Sequence, residues 1–148
     1  MKRMFVFSVT LFVLVLMSGS ALAEPPNLLG RWEGFGRAIF MNGTVAELRT
    51  RIVFLKQDGN LFAASFSFVE PGVGEWLVCP SFATGDTSQG NTMRGVVQQS
   101  YVEIPIATFD AILTGKTIRG VVRDFEDIST AHFEVTWVSD SLDPGCYD

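Results

Sequence analysis

The chain is poor in the residues that carry out chemistry. It holds one histidine, His132, and two cysteines, Cys79 and Cys146. In TAHFEVTW the histidine alternates against Phe133, Val135 and Trp137, so on a strand it points outward, away from any buried serine and carboxylate. One imidazole and no carboxylate cluster on a shared face fall short of a metal ligand set, and the two cysteines lack the close spacing of a zinc site. No glycine-rich phosphate loop is present, because Gly34 and Gly36 alternate on a strand instead of opening a helix. Basic residues are also scarce, 11 against 16 acidic ones with no basic run, which removes the electrostatic footing for nucleic acid or anionic lipid. These scarcities together predict a non-enzymatic protein without metal or cofactor.

A long apolar run occurs at the start, where Lys2 and Arg3 precede Met4 to Met17 and small residues end in Ala21-Leu22-Ala23. That is the pattern of a secretory signal peptide over residues 1–23, cut after Ala23, and the run is short for a membrane span. No later stretch is apolar enough to serve as a span. The expected mature chain, Glu24 to Asp148, is therefore periplasmic or secreted, and its net charge moves from −5 to −7 when Lys2 and Arg3 leave. Its length suits one domain. An even cysteine count in an oxidising compartment predicts a Cys79–Cys146 disulfide, whose long loop gives a stabilisation of about 4 kcal/mol on chain-entropy grounds.

From Arg31 to Ser139 the pattern is strand and turn, without helical periodicity. In TVAELRTRIVFLK, Ala46, Leu48, Thr50, Ile52 and Phe54 share one face, while Glu47, Arg49 and Arg51 share the other. Asn42-Gly43 and Asp58-Gly59 flank this strand with hairpin-turn dipeptides. Eight strands are expected, at Arg31–Met41, Thr44–Lys56, Leu61–Val69, Glu75–Phe82, Met93–Tyr101, Thr108–Thr114, Thr117–Asp124 and Thr130–Ser139. The inward side of Glu75–Phe82 is ambiguous. Ser65 and Ser67 are expected on the wet side of their strand, Asp86 to Asn91 as the loosest loop, and residues 140–148 as an irregular tail.

Two octets, GNTMRGVV at Gly90 and GKTIRGVV at Gly115, lie 25 positions apart. In an up-and-down meander two strands and two turns restore the chain direction over about that distance, so the octets are one structural piece used on strands two apart. Gly95 and Gly120 then face the core and make room for large neighbours, while Arg94 and Arg119 face solvent. Eight antiparallel strands with one dry face predict an all-β, closed, eight-stranded antiparallel up-and-down barrel, with a two-sheet sandwich as the runner-up. The charged outer face of Thr44–Lys56 is unsuited to an outer-membrane barrel.

PNLLGRWEG places Gly30-Arg31-Trp32 at the opening of the first strand. This resembles the G-x-W signature of lipocalins and the wider calycin group. The resemblance implies that the tryptophan closes one barrel end and that Cys146 pins the tail to Cys79 on a middle strand. The family's T-D-Y stretch and closing helix are missing. Small exported inhibitors of proteases and lysozymes are similar in outline.

Two functions are expected. In the first, the barrel binds a small apolar ligand in its interior. The apolar wall is Trp32, Phe54, Phe66, Phe68, Phe109 and Trp137, and the polar contacts are Thr50, Gln99, Tyr101 and Asp124. Phe40, Phe62 and Phe133 complete the inward aromatic set. In the second, the chain is an inhibitor-like module that grips an extracytoplasmic protein through Glu70–Gly74, Asp86–Asn91 or the N-terminal EPPN. The acidic run at Asp124, Glu126 and Asp127 reads as an exposed hairpin turn, as does Asn42-Gly43-Thr44, which also matches a glycosylation sequon.

Overall fold

A computed structural model describes residues 24–69, 81–99 and 104–145. Eight strands form a closed barrel in which each pairs antiparallel with its sequence neighbours and β1 closes onto β8. They are β1 (Gly30–Phe40), β2 (Val45–Asp58), β3 (Leu61–Val69), β4 (Ser81–Gln89), β5 (Thr92–Gln99), β6 (Pro105–Thr114), β7 (Thr117–Asp124) and β8 (Ser129–Ser139). Among the described residues there is no helix, and so none long and apolar enough to cross a membrane. Register shifts between Arg31 and Trp32, Phe54 and Lys56, Asp86 and Gln89, and Val97 and Gln98 break the ladders, as bulges do where strands bend into a ring.

The two octets fall on β5 and β7, with β6 between them. Gly90 and Gly115 supply the turn at positive φ, 73° and 59°. Gly95 and Gly120 face inward, opposite Phe109 and Phe133, while Arg94 and Arg119 lie on the outer wall.

One end of the barrel, here the base, carries the β2–β3, β4–β5 and β6–β7 turns. Trp32 and Leu28 close it, both buried, with Trp32 Nε1 donating to the Leu28 carbonyl at 2.9 Å. Gln57 straps the incoming segment down: its Oε1 accepts from Leu28 N (2.9 Å) and its Nε2 donates to Pro26 O (2.7 Å). The rim at the other end carries the β1–β2 and β7–β8 turns.

The structure departs from the expected pattern on five points. The fourth strand is described over Ser81–Gln89, well past the expected end at Phe82, and the loop expected at Asp86–Asn91 shrinks to a turn at Gly90-Asn91. Small residues decide this: Ala83, Gly85 and Thr87 turn inward, where Phe62 needs the space over Gly85. Phe40 lies at the rim, 38% exposed, because its strand has by then risen above the packed interior. Ser65 and Ser67 have the outward parity but are buried, as are Val53 and Val69, so the outer face of β2–β3 is covered. Arg51, expected on a wet face, is largely buried too: it binds Glu33 at 2.8 Å and reaches the carbonyl of Pro144 in the irregular segment 140–145. That burial lowers its pKa, against the pull of Glu33. The signal segment, Glu70–Gly74, most of Glu75–Phe82, Tyr101, Cys79 and Cys146 lie outside the described residues.

Candidate functional site

The expected interior site is a column of rings. Trp32 meets Phe54 edge-on with centroids 6.2 Å apart, and Phe54 meets Phe62 in the same way at 5.2 Å. Phe62 and Phe66 each contact Phe109 (5.9 and 6.2 Å), and Phe66 stands edge-on to Phe133 at 5.4 Å. Phe68 leans on Phe66 at 5.2 Å and is only partly buried. Each such pair contributes about 0.5–1.5 kcal/mol beyond its burial. The space left between these rings and their neighbours Ile52, Met93 and Ile118 is about 10 Å³, roughly what one water molecule needs.

Of the expected polar contacts, Tyr101 lies outside the described residues, Thr50 is inside, and Gln99 and Asp124 do not reach the column. Thr50 is fully buried inside the barrel, and its Oγ1 has no hydrogen-bond partner. Gln99 sits exposed at the end of β5. Asp124 ends β7 at the rim, where its Oδ1 accepts from Glu126 N at 2.7 Å and so serves the turn. Trp137 lies at the opposite end, partly buried beneath Lys116, whose Nζ stands 4.0 Å from the ring centroid. The structure therefore brings together Trp32, Phe54, Phe66, Phe68 and Phe109, with Trp137 packed beside Trp32 at the base, and leaves Gln99 and Asp124 at the rim.

The large hollow is outside. A concave stretch of outer wall of about 680 Å³ spans β5 to β8 and continues over β1 to β2. Two cross-strand rows build it. One runs Arg49, Phe35, Glu134, Arg119, Ile112, Thr92, and the other runs Glu47, Arg37, His132, Val121, Asp110, Arg94. Phe35 is 69% exposed and Ile112 57% exposed, although both occupy wall positions that ordinarily carry polar residues.

The charges around them are paired along the ladders. Arg37 Nε donates to Glu47 at 3.1 Å, and Arg119 holds both oxygens of Glu134, at 2.7 and 3.3 Å. Asp110 takes Arg94 on one oxygen (3.3 Å) and Arg123 on the other (2.8 Å). The hydrogen bond from Arg119 holds the Glu134 carboxyl below its ordinary range. His132 faces outward as expected, with Arg37 and Val121 directly opposite it and no serine or carboxylate in those positions. Among the described residues no group of three histidine, cysteine or acidic side chains is placed to hold a metal.

Nothing in the inward pattern points to this wall. The signal was present as a break in alternation: after Arg31 and Glu33, the outward position of β1 goes to Phe35, and Ile112 and Val121 repeat the exception on β6 and β7. Comparison with family models, curated proteins and solved structures returns no match to this chain.

Proposed function

We propose that the protein is an exported, non-enzymatic binding module that grips another protein with the outside of a filled barrel. The observation that carries this reading is where the empty space lies: about 10 Å³ among the interior rings and about 680 Å³ on the outer wall. A drug-sized ligand needs a pocket of roughly 300 Å³ or more, which favours the second expected function over interior carriage. Arg37, Arg94, Arg119 and Arg123 already have carboxylate partners, so the fitting partner is one that offers an apolar protrusion to Phe35 and Ile112 rather than a strong charge. Kinship with lipocalin-like barrels belongs to the same proposal, supported by Gly30-Arg31-Trp32 at the first strand and by Trp32 sealing the base.

A photo-crosslinking side chain at position 35 or 112 tests this in an extracytoplasmic fraction of the source cell. The expected result is one adduct of defined mass from both positions and none from position 61, which is equally exposed but near the base. Micromolar binding of an apolar fluorescent probe that disappears in an Ala64→Leu variant would place the site inside and overturn the reading.

A further inference from the structure

A second surface stands apart from the wall hollow and shares no lining residue with it. At the rim, the β1–β2 and β7–β8 turns lie side by side, with Met41 N donating to the Ile128 carbonyl at 2.9 Å. Between them is a mostly apolar groove of about 450 Å³ lined by Phe40, Met41, Asn42, Thr44 and Ile128. Met41 is 75% exposed, and Phe125, Ile128 and, at the first residue of β2, Val45 are each about half exposed around the same two turns. Turn tips ordinarily carry polar residues, so four large apolar side chains here need a reason.

Hydrogen bonds brace both turns. Phe40 N and Gly43 N close the first turn through Thr44 O (2.9 Å) and Phe40 O (2.8 Å). In the second, Asp124 accepts from both Glu126 N and Asp127 N. Docking on such a scaffold gives up little conformational freedom.

Charge selects the occupant. Asp124, Glu126 and Asp127 belong to the β7–β8 turn that gives Ile128 to the groove, and no lysine or arginine occurs in residues 38–48, 104–109 or 124–131. Arg123, the next cation along β7, is engaged with Asp110. Three carboxylates disfavour an anionic lipid surface, and a symmetric pairing of two copies through this rim would set like charges together. A mostly apolar groove beside an acidic turn suits a segment that is both apolar and cationic.

We propose that the rim docks a cationic, apolar segment of a partner protein, its apolar side chains entering the groove between Met41 and Ile128 and its lysines or arginines meeting Glu126 and Asp127. The test uses the mature chain and a fluorescein-labelled peptide of about ten residues, alternating leucine and lysine, followed by anisotropy. An otherwise identical leucine–glutamate peptide and phosphatidylcholine vesicles serve as controls. The leucine–lysine peptide is expected to bind, more weakly as salt rises, and the leucine–glutamate peptide is not. Combined Met41→Asp and Ile128→Asp should weaken binding about tenfold or more, with little change in melting temperature because both side chains are exposed. Glu126→Gln with Asp127→Asn should weaken it severalfold and flatten the salt dependence, whereas Asp58→Asn with Asp140→Asn, the same charge change near the base, should do neither. The proposal is overturned by absence of peptide binding, by equal binding of the leucine–glutamate peptide, or by equal weakening from the base variant. Vesicle binding abolished by the groove variant, or a dimer dissolved by it, would assign the rim to lipid or to a second copy and overturn it too. Failure here leaves the crosslinking result at position 35 untouched.

Discussion

Phe133 lies directly across the β7–β8 ladder from Gly120, and its ring takes the room a side chain on that glycine would need: a Cβ built there stands 2.6 Å from Phe133 Cζ. The same relation joins Gly95 to Phe109 across β5 and β6, again at 2.6 Å. The repeated octets thus carry a packing device, one glycine for one ring.

Gly120→Ala is expected to destabilise the barrel by about 1–3 kcal/mol through overpacking. Denaturant unfolding measures the loss. Combining it with Phe133→Leu should cost less than the two single changes together, by about 1 kcal/mol. Strict additivity would mean that ring and glycine do not compete for one space.

Thr50 offers the opposite case, a buried group whose removal helps. Its hydroxyl is fully buried without a partner, so Thr50→Val exchanges an unsatisfied polar atom for a methyl of similar size. The midpoint of unfolding should rise, by about 1 kcal/mol in stability. A fall of that size would show that the hydroxyl is in fact bonded.

Leu28 is wholly buried at the base, yet it lies outside every strand. Leu28→Ala should cost about 2–4 kcal/mol, the range for a large core side chain. The emission of Trp32, which bonds to the Leu28 carbonyl, is expected to shift to the red as water enters.

Glu134 gives the pH dependence. Its hydrogen bond from Arg119 keeps the folded carboxyl below the unfolded value. The stabilisation from this pair is therefore complete above the ordinary glutamate range and disappears as pH falls through the lower, folded value. Carboxyl carbon NMR should show a depressed midpoint for Glu134 that returns to the ordinary range in Arg119→Gln. No change between the two proteins would mean the pair is not formed in solution.

Much of this barrel is legible in single strands. The period of two in TVAELRTRIVFLK puts Thr50, Ile52 and Phe54 inside, and the twin glycines announce strands two apart. The fourth strand is not legible in the same way. Its continuation to Gln89 has little apolar content to announce it, because Ala83 and Gly85 are placed inside by the size of rings on another strand, which is tertiary information. The site is harder for the same reason. Alternation separates inside from outside, but how tightly Phe62, Phe66 and Phe109 meet depends on the register of separate strands. The pairing of Arg37 with Glu47 likewise appears only once β1 and β2 are aligned.

The β1–β8 seam sets the order of events during biogenesis. It pairs Arg31 with Ser139, 108 positions apart, so the first strand cannot find its second neighbour until the chain has been made through β8. Contacts of such separation place the chain among slow folders, in the millisecond-to-second range. Until then β1 waits with a bare edge, and any factor that escorts the nascent chain has that interval in which to act.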